Sequence, residues 1–272
     1  MRSATREAHR EGKGLGFVPT MGALHEGHLS LVRAAKSVCD VVAVSIFVNP
    51  LQFGPTEDLA KYPRTFERDA KLLEKESVDI LFCPTPNEMY PAGAVTYVTV
   101  EGLSDKLCGR SRPGHFRGVT TVVAKLFHIV EPDKAFFGQK DAAQSTIVRR
   151  MVQDLNFPIE IVVCPVVREP DGLAMSSRNA YLTPQDRKSA LVLHRSLMEI
   201  KNRFDRGERS AANLIAAGKQ LLSKEAGVRL DYLEIVDPST LDPMTQLNKP
   251  ALVAVAALVG TTRLIDNIIL PA

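Results

Sequence analysis

Two histidines three residues apart stand where a phosphate could be bound. His25 and His28 end the segment PTMGALHEGH (residues 19–28), which follows a short apolar run and precedes a helical pattern. Free N–H groups and the helix dipole favour an anion at a helix start, and imidazoles there can donate to phosphoryl oxygens as charge builds up. A loop with two solvated histidines fits the same residues, whereas the HExxH spacing of a zinc site is absent.

A second segment with phosphate-binding chemistry is GQKDAAQ (residues 138–144), again between an apolar run and a helical pattern. Gly138 permits close approach of the backbone, Lys140 supplies a positive charge, and Asp141 caps a helix or binds a ribose hydroxyl. A capped turn without a ligand fits these residues equally.

Hydroxyl groups and a guanidinium follow in DGLAMSSRN (residues 171–179). Ser176, Ser177 and Arg178 can wrap a triphosphate with hydroxyl donors and a bidentate arginine. A polar linker is the alternative.

A buried apolar run ends in amides in SIFVNPLQFG (residues 45–54). Asn49 and Gln52 both donate and accept hydrogen bonds, which suits a small polar substrate at the carboxyl end of a strand. An ordinary Asn-Pro turn is the alternative. The basic stretch GRSRPGHFR (residues 109–117) fits a basic lid or a solvated loop.

These segments are positioned by an alternation of short β-branched runs and helical patterns. We predict strands at 15–18, 40–48, 78–83, 95–100, 134–137 and 159–164, and helices at 28–38, 65–77, 118–130 and 142–154. The continuous apolar run VVAVSIFV is typical of a parallel strand buried on both faces. The pattern predicts an α/β fold with a Rossmann-like, doubly wound parallel sheet and a ligand at the carboxyl ends of its strands.

The pattern changes after Arg168. Helices are predicted from Thr183 to about residue 206 and from Ser210, followed by strands at 229–236, 251–259 and 263–270. We therefore predict a catalytic domain at 1–168 and a smaller α+β domain at 169–272. The turn signal EPDG (residues 169–172) marks the hinge, and the smaller domain carries MSSR (residues 175–178) and acts as a lid.

Composition excludes several classes of protein. In 272 residues, 34 Lys and Arg against 31 Asp and Glu give a net charge of +3, too balanced for a non-specific nucleic-acid binder. The longest apolar run, 251–260, is about half of the ~20 residues of a membrane helix, and segment 1–13 has no apolar core of a secretory signal. Four dispersed cysteines without a CxxC pair predict a reduced, cytoplasmic protein without a protein-held metal.

Five segments in order carry a family resemblance: PTMGALHEGH, SIFVNPLQFG, YPRTFERD, RPGHFRGV and DGLAMSSRN. Together they resemble the pantothenate synthetase family of the HIGH-motif nucleotidyltransferase superfamily, which is related to class I aminoacyl-tRNA synthetases. The resemblance runs from about Gly16 to RLIDN (residues 263–267).

The resemblance implies ATP-dependent condensation of pantoate with β-alanine, a step of coenzyme A biosynthesis. The pantoate carboxylate attacks the α-phosphorus of ATP to give pantoyl adenylate and pyrophosphate, and the amine of β-alanine then expels AMP. Mg²⁺ would travel with the triphosphate, with Asp69 as an outer-shell contact. The resemblance also implies a homodimer formed through the N-terminal domain and no nucleic-acid or membrane partner.

Residue roles are implied by motif match. His28 corresponds to the general acid, His25 to its phosphate-contacting companion, and Lys140 to a third catalytic residue. The implied ATP site comprises Met21, Gly22, Ala23, Leu24, His25, Glu26, Gly27, His28, Gly138, Gln139, Lys140, Asp141, Val167, Met175, Ser176, Ser177 and Arg178. Gln52 and Gln144 would bind pantoate, with Gln52 and Asn49 also near β-alanine.

Three departures from the family pattern stand beside the nucleotide. Gln139 replaces a glutamate, and Ala142 and Ala143 replace an aromatic residue and a glutamine. The family also has a further strand and helix start ahead of the segment aligned with residues 1–13. A nucleotidylyltransferase acting on another small acid or a phosphate-bearing substrate, and a catalytically silent nucleotide-binding regulator, are the alternative functions. The uncharged Asn49 and Gln52 argue against a phosphate-bearing acceptor.

Overall fold

The larger sheet has five parallel strands in the order β3-β2-β1-β4-β5. A computed structural model describes residues 1–55 and 57–272. The strands are β1 (Leu15–Thr20), β2 (Val41–Ile46), β3 (Ile80–Phe82), β4 (Lys134–Gly138) and β5 (Glu160–Cys164). The strand order reverses between β1 and β4, and in such sheets ligands bind at the carboxyl ends of the strands at this reversal. The loops after β1 and β4 are the histidine segment and the GQKD segment.

Helices cover both faces of this sheet. They are α1 (Arg2–Arg10), α2 (Glu26–Lys36), α3 (Phe66–Lys75), α4 (Pro86–Met89), α5 (Cys108–Ser111), α6 (His115–Val130) and α7 (Ala142–Asp154). Leu15 and Phe17 pack with α6 and α7, whereas Val18 packs with α2 and α3. Side chains alternate across a strand, so β1 is buried on both sides, as its apolar sequence predicts. The doubly wound α/β fold is confirmed.

A smaller antiparallel sheet follows, with two helices on one face. Its elements are α8 (Pro184–Asp205), α9 (Ala211–Leu222), β6 (Val228–Val236), β7 (Ala251–Val259) and β8 (Thr262–Leu270), with β7 in the centre. Val253 and Val255 pack beneath α8 and α9, whereas Leu252 and Ala254 join the core of the larger domain. The second α+β domain is thus confirmed, and an apolar contact connects it to the first.

One predicted strand is wrong. Residues 95–100 have no ladder partner in the described structure. Hydroxyl groups of α6 bind this segment instead: Thr121 Oγ1 accepts from the Val98 N–H at 3.0 Å, and Thr120 Oγ1 donates to the Val98 carbonyl at 2.6 Å. A β-branched run predicts a strand only where a neighbouring strand edge is available. No helix in the described ranges is long and apolar enough to cross a membrane.

Candidate active site

A cleft of about 220 Å³ opens at the carboxyl ends of β1, β2 and β4. Fifteen of the residues expected at the site line it: Met21, His25, Gly27, His28, Asn49, Gln52, Gly138, Lys140, Asp141, Gln144, Val167, Met175, Ser176, Ser177 and Arg178. Gly22, Ala23, Leu24, Glu26 and Gln139 lie outside the lining. Residues to which the sequence assigned no individual role complete the wall, among them Tyr62 of YPRTFERD and Arg112, His115 and Val119 of RPGHFRGV.

The two histidines cap the N-terminus of α2, His25 as the N-cap residue and His28 from the first turn. His25 Nδ1 accepts from the Gly27 N–H at 3.1 Å, and His28 Nδ1 accepts from the His25 N–H at 3.3 Å, a reciprocal capping box. Each Nδ1 is therefore an acceptor, which places the proton of a neutral ring on Nε2. The ring centroids are 4.1 Å apart, so the cap presents two adjacent Nε2–H donors.

Burial keeps both rings neutral. It lowers the pKa of His25 to about 4, with a further contribution from the positive charge of Lys140. Burial lowers the pKa of His28 well below the usual value, assisted by His25 and Lys140. At neutral pH both rings are thus hydrogen-bond donors without net charge.

We expect His25 and His28 to remain neutral, with the proton on Nε2, from pH 8 down to about pH 5. An imidazole with a pKa of about 4 gains its second proton only below that range, whereas an ordinary imidazole gains it near ~6.5. Nitrogen chemical shifts of the histidine-labelled, ligand-free protein, assigned with single His→Gln variants, measure both properties. Protonation near pH 6.5 or a proton on Nδ1 would contradict the capping geometry.

A buried carboxylate holds the loop that carries the histidines. Gly22 and Ala23 have positive φ values of 81° and 48°. Asp69 of α3 accepts from the N–H groups of Ala23 at 2.8 Å and Leu24 at 2.9 Å, and Thr65 Oγ1 donates to it at 3.1 Å. Asp69 is completely buried and lies outside the cleft lining. Both carboxylate oxygens therefore anchor the loop, and this geometry gives no support to the outer-shell contact with Mg²⁺ that the sequence suggested.

Replacing Asp69 with asparagine should lower the free energy of unfolding by about 1–3 kcal/mol, because an amide N–H₂ then faces a buried backbone donor. Urea denaturation measures this loss. The control is Asp40→Asn, which alters an exposed carboxylate that accepts from the Gly14 N–H at 2.8 Å. Equal effects of the two substitutions would show that Asp69 has no special role as an anchor.

The GQKD turn is fixed by the smaller domain. Asn267 Nδ2 of β8 donates to the carbonyls of Gln139 and Lys140, each at 2.9 Å, and Gln139 Nε2 donates to Asn267 Oδ1 at 3.0 Å. Gln139 thus pairs with an amide and stands outside the cleft lining, so a neutral residue fits this position. Lys140 Nζ lies 3.6 Å from Asp141 Oδ2 and lines the cleft.

The MSSR segment reaches back to the histidine loop. Ser177 Oγ donates to the Ala23 carbonyl at 3.1 Å. Arg178 binds both carboxylate oxygens of Asp58, each at 2.9 Å. The sequence did not single out Asp58, because no local pattern shows that a carboxylate 120 residues away meets this arginine.

Asn49 and Gln52 form one side of the cleft, called the amide side here. Asn49 is 1% exposed. Its Nδ2 donates to Gln52 Oε1 at 3.0 Å and to the Gly118 carbonyl at 3.1 Å, and its Oδ1 accepts from Tyr90 Oη at 2.8 Å and from the Leu51 N–H at 3.3 Å. Both donors and both acceptor sites of Asn49 are thus engaged within the protein. Asn49 therefore orients Gln52.

Arg112 and His115 line the cleft, so the basic stretch at residues 109–117 is not simply a solvated loop. Gly118 lies one turn further along α6. A Cβ at Gly118 would stand 2.2 Å from the Leu51 carbonyl oxygen, so only glycine allows α6 to approach the turn that carries Gln52.

Comparison with known proteins gives consistent matches over the chain. A family model described as pantoate-beta-alanine ligase matches residues 1–269. The pantothenate synthetase of Koribacter versatilis is 61% identical over 272 residues, covering all of this chain and 94% of that protein. A solved pantothenate synthetase of Thermus thermophilus has a TM-score of 0.92 and 52% identity, covering 94% of this chain and 92% of its own.

A further solved structure, the pantoate-beta-alanine ligase of Francisella tularensis complexed with beta-gamma ATP and beta-alanine, has a TM-score of 0.76 and 35% identity. The match covers 97% of this chain and 95% of that one. The sequence, the two sheets and the cleft at the strand reversal therefore lead to one conclusion: the chain belongs to the pantoate-β-alanine ligase family.

Proposed function

We propose that the protein condenses pantoate with β-alanine in an ATP-dependent reaction through pantoyl adenylate, with release of AMP and pyrophosphate. It is a ligase that forms a C–N bond, as its family membership indicates. The observation that carries the proposal is the convergence of two neutral imidazole donors, Lys140 and the MSSR segment in one cleft, beside the amides Gln52 and Gln144.

The first step is adenylation. A carboxylate oxygen of pantoate forms a bond to the α-phosphorus, and the bond from that phosphorus to pyrophosphate breaks. Negative charge increases on the phosphoryl and leaving oxygens, where the Nε2–H groups of His25 and His28 and the ammonium of Lys140 stabilise it. We propose hydrogen-bond donation for His28 in place of the expected general acid, because its low pKa leaves it no second proton to transfer.

Mg²⁺ would enter with the triphosphate. The described residues contain no group of three or more histidine, cysteine or carboxylate side chains arranged around a common point. Mg²⁺ commonly binds substrate phosphates and water with few protein ligands. We therefore propose that ATP binds as MgATP, with the metal held by phosphate oxygens and water.

The second step is acyl transfer. The amine of β-alanine forms a bond to the acyl carbon of pantoyl adenylate, and the bond to the AMP oxygen breaks. Gln52 and Gln144 would hold the pantoyl group so that this carbon faces the amine.

We also propose a domain boundary, an oligomeric state and a cellular location. The boundary lies at residues 168/169, where Arg168 binds Asp266 of β8 at 2.7 Å, and the smaller domain closes over the cleft from there. The family resemblance supports a homodimer formed through the larger domain. Four cysteines without a disulfide among the described residues support a cytoplasmic location.

The test is to incubate the protein with MgATP and each substrate. With pantoate alone we expect release of about one pyrophosphate per active site and no free AMP. Addition of β-alanine should then release AMP and form pantothenate. Formation of ADP, or no pyrophosphate with pantoate, would contradict the proposal.

A further inference from the structure

One cation of the described cleft, Arg112, lies outside the segments with phosphate-binding chemistry. Three lysine or arginine side chains line the described cleft: Lys140, Arg178 and Arg112. The first two belong to segments with phosphate-binding chemistry. Arg112 lies instead at the amide side, where its Nη2 donates to the main-chain carbonyl of Gln52 at 3.3 Å.

The guanidinium of Arg112 is held in a fixed orientation. His115 Nδ1 lies 2.8 Å from the Gln52 carbonyl oxygen, which can only accept, so Nδ1 carries the proton and Nε2 is an acceptor. Arg112 Nη1 lies 3.1 Å from this Nε2 and donates to it. Burial and the charge of Arg112 lower the pKa of His115 to about 4, which keeps Nε2 free to accept. Arg112 is thus fixed beside the residue expected to bind the acyl group.

The N–H groups of Arg112 that can bind a carboxylate already donate to Glu57. Glu57 accepts from Arg112 Nε and Nη2, each at 2.6 Å. The side chain of Glu57 is 24% exposed, so part of this carboxylate faces solvent. The next residue, Asp58, binds Arg178 in the same bidentate way. Two consecutive carboxylates therefore bind the two arginines of the cleft.

We propose that Arg112 is the receptor for the carboxylate of β-alanine, and that Glu57 is an internal carboxylate which this substrate displaces. The assignment rests on the proposed function. β-Alanine has an amine, which must reach the acyl carbon beside Gln52, and a carboxylate, which needs a cation nearby. Asn49 cannot supply this contact, since its hydrogen bonds are engaged within the protein. Arg112 already binds a carboxylate in the required bidentate geometry.

The test compares Arg112→Gln, Glu57→Gln and the control Arg110→Gln, which removes an exposed arginine paired with Glu234. Loss of a charge-assisted hydrogen-bonded pair should raise the KM for β-alanine by about 10- to 100-fold in Arg112→Gln. Single-turnover pyrophosphate release with pantoate should stay within about twofold. Glu57→Gln should act in the opposite direction and lower the KM for β-alanine, because the competing carboxylate is gone.

Substrate discrimination gives a second readout. The wild-type protein should favour β-alanine over β-alaninamide, which lacks the carboxylate, and Arg112→Gln should lose that preference. Two results in Arg112→Gln would overturn the assignment: retained discrimination between the two amines, or an equal rise in the KM values for pantoate and β-alanine. A raised KM for β-alanine in Glu57→Gln would overturn it as well. Arg112 would then be only a support for Gln52. No pyrophosphate from the wild-type protein with pantoate would instead refute the proposed function itself.

Discussion

Replacing His28 with alanine is expected to slow the formation of pantoyl adenylate by about 10²- to 10³-fold, the usual effect of removing one preorganised donor to a developing negative charge. The affinity for ATP should fall much less, because Lys140 and the MSSR segment still contact the ground-state phosphates. Single-turnover pyrophosphate release measures the rate, and equilibrium binding of ATP measures the affinity.

Two further substitutions separate the donor role of His28 from its role as a helix cap. His28→Gln places an amide N–H near the position of Nε2, and His28→Asn places an amide oxygen near Nδ1, the atom that accepts from the His25 N–H at 3.3 Å. The glutamine variant should recover part of the rate, whereas the asparagine variant should recover stability without the rate. Equal loss of adenylation and ATP binding in all three variants would identify a structural histidine.

The second large effect is expected for Lys140→Ala. Lys140 supplies a charge at the strand reversal, and its nearest carboxylate, Asp141, is 3.6 Å away, so the ammonium is available to a phosphate. Loss of a positioned cation should slow adenylate formation by about 10²- to 10³-fold in single-turnover experiments with pantoate.

The matched control for this experiment is Lys134→Ala at the opposite end of β4, where Lys134 pairs with Glu160. It should change the rate by less than about twofold, because surface ion pairs contribute little. An unchanged rate in Lys140→Ala would remove this residue from the mechanism.

Local patterns in the sequence predicted the elements that carry the cleft. The apolar run of β2, the alternation of strands and helices, and the residues after β1 and β4 are all properties of short segments. The helix predicted at 142–154 and the strand at 251–259 have the bounds of α7 and β7. The strand predicted at 95–100 is wrong because the composition of this segment does not show that hydroxyl groups of α6, and not a neighbouring strand, bind its backbone.

Contacts between distant segments could not be predicted in this way. Asp69 anchors a loop 46 residues before it, and Asn267 holds a turn 128 residues before it. Both depend on how the sheet and the second domain assemble. The pairing of Arg112 with Glu57 likewise required the structure, since the basic stretch alone fits a lid and a solvated loop equally.

The most direct test of the proposed reaction follows the carboxylate oxygen of pantoate. Pantoate labelled with a heavy oxygen isotope in its carboxylate is incubated with MgATP and β-alanine, and the AMP is analysed by mass spectrometry. Attack of the carboxylate on the α-phosphorus, followed by cleavage at the acyl carbon, transfers one labelled oxygen to AMP. Unlabelled AMP, or label in inorganic phosphate, would contradict an acyl-adenylate intermediate.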